Sequence, residues 1–344
     1  MTAKPILVTG ATGCLGAQLT RRLVADGHDV VLLKRHGDQL GMLGSLRRGV
    51  EIRFGDVTDP ASVHRAMRGI GSVYHLAGVA APLNRLARVM WEVNVAGAYN
   101  VARAALEAKV DRMVHTSSVA AIGYPPDSVT ANESFAAEES VGETAYSITK
   151  RHGEAIVRGL FTLGLDVVVV NPSAVLAPGG DARFSWSGLV AAALRGQLRA
   201  MPRGGTAVCT AEDLVDGQLK AMSHGQAGER YILSSANVSY RELGRLIADT
   251  VGVTPPFAEA PDWALGAIGR VNQVIAGLRR DPYRSSVLVP ENVALMTRAL
   301  YYDQSRAVRE LGITQSPLEP AIQEMAMWCR QSALGGAARG RRSS

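Results

Sequence analysis

Short apolar runs alternate with helical patterns through the first half of the chain. The runs are nearly continuous in Val, Ile and Leu, which is typical of parallel strands buried on both faces. The predicted strands are Pro5–Thr9, Asp29–Leu33, Val50–Phe54, Ser72–Leu76, Arg112–Thr116 and Asp166–Val170, and the predicted helices lie near Leu15–Asp26, Ala61–Met67, Leu86–Ala108 and Glu143–Leu163. This alternation predicts an α/β fold with a doubly wound parallel sheet.

The pattern changes after about Pro172. Strand-like runs become sparse, Gly and Pro cluster, and short helical patterns dominate, among them a helix that begins after Ser239 as its N-cap and a last helix near Leu318–Gln331. We therefore predict a sheet domain over residues 1–172. A smaller, mostly helical lobe over 173–334, some of whose segments return to the sheet, would rest on the carboxyl edge, where ligands bind in such folds.

Composition and charge indicate a folded globular protein. Hydrophobic residues make up 47% and charged residues 20%, and the 37 basic and 31 acidic residues leave a net charge of +6. Part of the excess lies in Arg339–Ser344, within a segment (335–344) that we expect to be a disordered basic tail. Without a basic stripe interleaved with aromatic residues, we expect no nucleic-acid partner.

The three cysteines, Cys14, Cys209 and Cys329, are far apart, and neither they nor the seven histidines show metal-ligand spacing. We therefore expect no metal and a reducing compartment. The N-terminus enters a strand-like run at once, and no apolar stretch approaches the roughly 20 residues that a membrane span needs. These features favour a soluble, cytoplasmic protein without a transmembrane segment.

A glycine-rich loop follows the first predicted strand. Gly10, Gly13 and Gly16 form Gly-x-x-Gly-x-x-Gly at the start of the first helix. Glycine lets the backbone turn sharply and lets pyrophosphate oxygens approach its N–H groups, and the helix N-terminus adds partial positive charge. The order of strand, loop and helix predicts a dinucleotide site.

The end of the second strand bears on which dinucleotide binds. NAD-specific folds usually place an acidic residue there to hold the ribose 2′-hydroxyl, whereas this chain has Lys34 and Arg35. The cations favour NADP(H), with NAD(H) as the alternative if they are only solvated and Asp38 reaches the ribose instead. Asp56, after the third strand, is expected at the adenine edge.

A tyrosine and a lysine four residues apart form the candidate proton-transfer set. Tyr146 and Lys150 share one face of a predicted helix. A neighbouring ammonium favours phenolate and lowers the pKa of the phenol, which otherwise is near 10. Ser118, just after the fifth strand, offers a hydroxyl to a substrate oxygen as its charge changes.

The glycine loop together with Ser118, Tyr146 and Lys150 resembles the extended short-chain dehydrogenase/reductase family, within the NAD-dependent epimerase/dehydratase superfamily. The resemblance covers nearly the whole chain, and Asp303–Gly312 is similar to a C-terminal signature of its dihydroflavonol-reductase-like and 3β-hydroxysteroid dehydrogenase branch. Two departures are Cys14, where an aromatic residue is usual, and Val208–Asp213, which replaces a His-Val-Asp-Asp-like segment.

The resemblance implies an NAD(P)-binding Rossmann domain and assigns roles to residues. Ser118 rather than Ser117 matches the triad serine, Arg35 a position that contacts the 2′-phosphate, and Asn94 a residue that maintains a helix kink and a proton relay. The expected cofactor contacts are Thr9, Gly10, Thr12, Gly13, Cys14, Leu15, Gly16, Lys34, Arg35, Asp56, Val57, Leu76, Ala77, Gly78, Thr116, Tyr146, Lys150, Pro172 and Ser173. A homodimer through the helices near 86–108 and 143–163 is also expected.

The expected substrate side is mainly small or apolar. Its candidate residues are Val79, Pro82, Ser118, Ile122, Tyr124, Phe184 and Trp186. They favour an NADP(H)-dependent oxidoreductase that reduces a ketone, or oxidises the alcohol, of a bulky and largely apolar small molecule. Two alternatives stay open: a nucleotide-sugar epimerase or dehydratase with tightly held NAD, and a non-catalytic dinucleotide sensor that binds a protein partner.

The stretch Trp263–Leu278 repeats apolar residues on one helical face. A helix packed on the lobe is the plain interpretation. The sharper ones are a lid over a hydrophobic ligand or a peripheral membrane contact, helped by Arg270, Arg279 and Arg280.

Overall fold

Seven parallel strands form the central sheet in the computed structural model, which describes residues 4–46, 49–80, 83–179, 186–278 and 288–340. The strands within these residues are β1 (Ile6–Thr9), β2 (Val30–Lys34), β3 (Val50–Phe54), β4 (Ser72–His75), β5 (Arg112–Thr116), β6 (Thr130–Ala131), β7 (Val167–Pro172), β8 (Ala174–Leu176), β9 (Ala200–Met201), β10 (Gly205–Thr210), β11 (Arg230–Leu233), β12 (Ala236–Ser239), β13 (Ala258–Glu259) and β14 (Ala299–Tyr302). The six strands predicted in the first half are all present, which confirms the fold class.

Helices cover both faces of the sheet. They are α1 (Cys14–Ala25), α2 (Pro60–Ala66), α3 (Ala87–Met90), α4 (Ala98–Glu107), α5 (Val119–Ile122), α6 (Ala145–Gly159), α7 (Ser187–Leu194), α8 (Ala211–His224), α9 (Tyr240–Val251), α10 (Asp262–Leu278), α11 (Pro290–Met296), α12 (Ser305–Leu311) and α13 (Leu318–Gly340). Apolar side chains of α1, α8 and α12 form the core on one face, and those of α2, α4 and α6 form the core on the other. Burial on both faces explains the nearly continuous Val, Ile and Leu runs.

The strand order places a crevice at the middle of the sheet. The order is β3–β2–β1–β4–β5–β7–β11, so the chain moves outward in one direction from β1 to β3 and in the other from β4 onward. Thr9 pairs with His75 in the parallel register of β1 and β4. Ligands bind at such a switch point, outside the carboxyl ends of the strands.

The lobe contains more strand than the sequence predicts. Strands β12, β10, β14 and β6 form a second sheet, with β8 paired to β10, and β9 pairs with β13. These strands are two to six residues long, too short for a clear apolar period in the sequence. Strand β11 pairs with β7 in the central sheet, so this segment does leave the lobe in space.

The predicted helix ends are present in the lobe. Ser239 caps α9 in a reciprocal capping box with Glu242. Helix α13 reaches Gly340 and thus includes residues 335–340, which the sequence analysis assigns to a disordered tail; residues 341–344 lie outside the described residues. Among the helices that the structure describes, none has the length and hydropathy to cross a membrane.

Candidate active site

The loop between β1 and α1 can exist only with glycine at two of its positions. Gly10 has φ +72°, and a Cβ there would lie 2.6 Å from the backbone nitrogen of Ala77. A Cβ at Gly16 would lie 2.3 Å from the Gly10 carbonyl oxygen. Gly13 is the N-cap of α1 and, within the described residues, no side chain caps this helix. The first N–H groups of α1 are therefore available to an anion.

A crevice of about 260 Å³ lies against this loop at the switch point of the sheet. Its lining comprises Gly10, Thr12, Gly13, Leu33, Arg35, Asp38, Gly55, Asp56, Val57, Leu76, Ala77, Gly78, Val79 and Val93. The tertiary fold thus brings together the predicted glycines, the end of β2, Asp56 and the loop after β4. Leu33, Gly55 and Val93 were not predicted, since nothing in their sequence context distinguishes them from core residues.

Several predicted cofactor residues lie outside the lining of the crevice, among them Thr9, Cys14 and Leu15. Thr9 is fully buried, and its Oγ1 lies 2.6 Å from Nδ1 of His75 and accepts the N–H of Ala77 at 3.2 Å. These contacts of Thr9 connect β1 to the end of β4 and to the loop that follows it. Cys14 and Leu15 occupy the first turn of α1, where burial raises the pKa of the Cys14 thiol.

The two cations at the end of β2 have different surroundings. Arg35 lines the crevice and forms a two-pronged ion pair with Asp38, with both N···O distances 3.1 Å. Lys34 donates to the Arg35 carbonyl oxygen at 3.1 Å and lies over the Phe54 ring. Asp38 is the acidic candidate for cofactor selection and Arg35 the basic one, and the two side chains lie next to each other in the crevice.

Ser118 and Tyr146 meet at the carboxyl edge of the sheet. Ser118 follows β5 and caps α5, its Oγ accepting the Ala120 N–H at 3.2 Å. Tyr146 lies in the first turn of α6. Burial raises the pKa of Tyr146 to about 12, and the nearby Ser118 hydroxyl opposes this rise. The phenol is thus protonated at neutral pH and close to a second hydroxyl.

Lys150 lies one helical turn after Tyr146, beside the crevice. Its Nζ donates to the Thr116 carbonyl oxygen at 2.9 Å and lies 3.7 Å from where a Cβ at Gly78 would be. Burial lowers the pKa of Lys150 to about 8, and the Glu154 carboxylate opposes the shift. A ligand that hydrogen-bonds to this ammonium would favour its charged form.

The residues at this edge fit a nicotinamide dinucleotide. Among the described residues, the buried Thr116 Oγ1 and Ser173 Oγ have no hydrogen-bond partner. They lie at the ends of β5 and β7, and the cradle that Gly10 keeps open lies at the end of β1. Unpaired buried polar atoms are costly unless a ligand or water satisfies them. Pro172 ends β7 and places Ser173 at this edge.

Asn94 lies in a π-helical turn, Trp91–Gly97, that joins α3 to α4. Its Oδ1 accepts the Val79 N–H at 2.8 Å, and its Nδ2 donates to the Val79 carbonyl at 3.1 Å and to Thr149 Oγ1 at 3.3 Å. These bonds hold the loop that lines the crevice. The helix kink and the proton relay expected at Asn94 stay predictions.

A buried ionic network supports Ser118 from behind. Arg230 pairs with Glu154 at 3.0 Å, Glu154 accepts from Asn171 Nδ2 at 2.7 Å, and the same Nδ2 is 3.0 Å from the Ser118 carbonyl oxygen. Sequence analysis missed Glu154 and Arg230. The available signal was spacing, because Tyr146, Lys150 and Glu154 follow each other at four-residue steps on one helical face.

Apolar side chains surround Tyr146. One cluster contains Val79, Leu83, Leu86, Met90, Ala145 and Val289, and a second contains Val119, Phe135, Val141 and Leu295. Of the predicted substrate residues, Val79 shares the first cluster with Tyr146, and Ile122 and Tyr124 share the second.

The predicted substrate residues differ in their positions. Ile122 is 1% exposed and Tyr124 8%, and the Tyr124 hydroxyl lies 3.3 Å from Thr144 Oγ1, so both pack the interior beside α6. Trp186 stacks on Tyr240 inside the lobe. Pro82 and Phe184 lie outside the described residues.

The sequence profile of the NAD dependent epimerase/dehydratase family matches residues 6–234, which contain the crevice and all three proton-transfer residues. The chain belongs to this family. It is 31% identical over 329 residues to a putative dihydroflavonol 4-reductase of Synechocystis sp. (93% of each chain). It is 30% identical over 329 residues to sterol demethylase protein B of Methylococcus capsulatus (95% of this chain, 99% of the other).

A solved structure gives the same result for the fold. The crystal structure of a nucleoside-diphosphate-sugar epimerase from Pseudomonas aeruginosa superposes with a TM-score of 0.74 at 25% identity, covering 96% of this chain and 99% of that one. This family member is accordingly an NAD(P)-dependent oxidoreductase of the extended short-chain dehydrogenase/reductase type.

Proposed function

We propose that this family member is a ketone reductase, or the reverse alcohol dehydrogenase, that uses NADP(H) and acts on a bulky, largely apolar molecule. The observation that carries the proposal is the position of Tyr146 in an apolar cluster that reaches the crevice, since Val79 belongs to both. The names of two relatives with nearly full-length similarity support it, since one is a putative dihydroflavonol 4-reductase and the other is sterol demethylase protein B.

Each residue of the set has a chemical task. A bound nicotinamide supplies the hydride that adds to the carbonyl carbon. Ser118 donates a hydrogen bond to the carbonyl oxygen, and Tyr146, protonated because burial raises its pKa, donates the proton that completes the alcohol. Lys150 would hold the ribose of the cofactor through its ammonium, and its charge would stabilise the phenolate that remains on Tyr146.

The NADP(H) preference rests on Arg35. Its guanidinium lies in the crevice lining, where a 2′-phosphate would offer it a two-pronged hydrogen bond. Asp38 is the competing feature, because a carboxylate at this place suits a free ribose hydroxyl.

The decisive variant is Tyr146→Phe, which removes only the phenolic hydroxyl. We expect the rate of NADPH-dependent reduction across a panel of apolar ketones to fall by roughly a hundredfold or more. NADPH binding, followed by fluorescence titration, should be retained. An unchanged rate in Tyr146→Phe would remove Tyr146 from the mechanism and with it the proposal.

A nucleotide-sugar epimerase or dehydratase is the second candidate. A separate surface cavity of about 350 Å³ contains Arg203 and Arg298, cations that suit a diphosphate, although Asp127, Glu143 and Glu291 share its walls. Denaturing the fresh protein and identifying released nucleotide separates the two. Little retained cofactor and tighter binding of NADPH than NADH support the reductase, whereas stoichiometric bound NAD supports the epimerase.

A further inference from the structure

Helix α10 has a wide apolar face that no described residue covers. Trp263, Val271, Val274 and Leu278 are 78%, 58%, 65% and 82% exposed, and Ile268 and Ile275 beside them are 46% and 41% exposed. At 100° per residue these side chains, with Ala267, span about 140° of the helix surface without a polar residue among them. Exposed apolar patches of this kind mark interaction sites.

The opposite, narrow side of α10 is the one that packs on the protein. Leu265 is 6% exposed, a Cβ at Gly269 would touch Pro290 and Val289, and Asn272 Nδ2 donates to the Leu288 carbonyl oxygen at 2.9 Å. Packing on the protein therefore accounts for the narrow side of α10, while the wide apolar face is exposed. A lid closed over a small ligand would turn that face inward.

The surroundings of the face point to a lipid surface. Trp263, in the first turn of the helix, places an exposed aromatic side chain at one end of the apolar strip. The acid at the start of the helix, Asp262, is paired with Arg203 at 2.9 Å. Arg270 is exposed at the edge of the face. An apolar face edged by aromatic and cationic side chains is the pattern of helices that lie in the membrane interface.

The charge of the chain agrees with an anionic lipid surface. Its net charge is +6, and the sequence that follows α10 contains Arg279, Arg280 and Arg284 against a single acid, Asp281. Lys and Arg near an anionic bilayer each contribute about 1 kcal/mol of attraction.

We propose that α10 docks this protein onto the surface of a bilayer that contains anionic lipids, with the apolar face in the acyl boundary. The helix is about 26 Å long and lies parallel to the surface rather than across it. Because α10 packs against Val289, which belongs to the apolar cluster around Tyr146, docking places the bilayer near the candidate active site. This last consequence rests on the proposed function, but the docking itself does not.

Vesicle flotation tests the proposal. The full-length protein is mixed with vesicles of phosphatidylcholine alone or with one-third phosphatidylglycerol, and the bound fraction is measured. We expect binding to the mixed vesicles, weakened by salt, and a blue shift of tryptophan emission that is lost in Trp263→Phe. Absence of binding by the wild-type protein to the mixed vesicles overturns the proposal.

Single charged substitutions provide the matched comparison. Val271→Glu places a carboxylate in the centre of the face and should weaken vesicle binding about tenfold or more, because it removes apolar burial and adds repulsion. Leu163→Glu alters an equally exposed leucine, 68% accessible, outside α10 and should leave binding unchanged. Equal loss in both variants, with native circular dichroism, contradicts a role for this face.

A second copy of the chain is the competing occupant. Size-exclusion chromatography with light scattering distinguishes it, because Val271→Glu would then convert a dimer to a monomer. Such a conversion, with wild-type protein that ignores vesicles, overturns the lipid proposal. An unchanged oligomeric state together with lost vesicle binding supports it. Neither outcome depends on whether a ketone is reduced.

Discussion

Gly153 is the contact point between the catalytic helix α6 and the π-helical turn that carries Asn94. A Cβ at residue 153 would lie 2.1 Å from the Asn94 carbonyl oxygen, whereas real Cβ atoms essentially never come within 3.0 Å of another heavy atom. The obstructing atom belongs to the backbone and cannot rotate away. Gly153→Ala must therefore move α6 and the turn apart by about 1 Å.

The displacement costs both stability and rate. Overpacking of this kind costs about 1–3 kcal/mol, which for a chain of this size lowers the melting temperature by about 1–4 °C. Tyr146 and Lys150 project from the same helix, and a misplacement of about 1 Å costs up to about a hundredfold in rate. We expect kcat/KM for ketone reduction to fall between tenfold and a hundredfold.

The same helix offers a matched control. Gly159 ends α6 with φ −58°, and no described atom lies within 4 Å of a Cβ there. Gly159→Ala should raise stability by about 0.4–1 kcal/mol, by restricting the unfolded chain, and leave the rate unchanged. Thermal unfolding and the NADPH oxidation rate are measured for both variants. If Gly153→Ala behaves like Gly159→Ala, the close approach of α6 to the turn is not what sets the active-site geometry.

Three further variants test individual charges. Burial lowers the pKa of Lys150 from 10.5 to about 8. The folded state is therefore destabilised by the charged lysine below pH 8, and it regains stability as the pH rises from 8 to 10.5. Thermal unfolding at several pH values should show the wild type gaining up to about 3 kcal/mol over this range relative to Lys150→Met. Asp38→Asn removes the carboxylate that holds Arg35 and should favour NADPH over NADH by about tenfold in paired binding titrations, with no change refuting the selection argument. Glu154→Gln removes a charge that favours the Lys150 cation, so the alkaline limb of the kcat/KM profile should move to lower pH. Breaking the buried ion pair with Arg230 should also cost about 3 kcal/mol of stability. An unmoved alkaline limb would show that Glu154 does not influence the protonation of Lys150.

The local elements and the helix that carries Tyr146 and Lys150 could be predicted from the sequence. Buried parallel strands have a continuous apolar pattern, so β1 to β5 and β7 were recognised from residues next to each other in the chain. The glycines at 10, 13 and 16 predict a tight turn that side chains would block. Tyr146 and Lys150 are four residues apart, and in any helix such residues share one face.

Other features depend on segments that are far apart in sequence. The second sheet is built from short strands that carry no period of their own, and Glu154 acquires its role only because Arg230 and Asn171 arrive from β11 and β7. The ion pair between Arg35 and Asp38 could not be predicted either. The sequence indicated that both residues lie near the ribose, but not that their side chains contact each other.

The burial of individual side chains is what the tertiary structure decided and the sequence did not. Sequence alone determined where strands, turns and reactive side chains fall, because backbone conformation and helical spacing are local. It could not tell that Ile122 lies in the core while Val271 faces solvent, since both belong to apolar patterns of the same kind. Which side of an apolar helix is covered depends on what packs against it, and for α10 the packed side is the narrow one at Leu265 and Gly269.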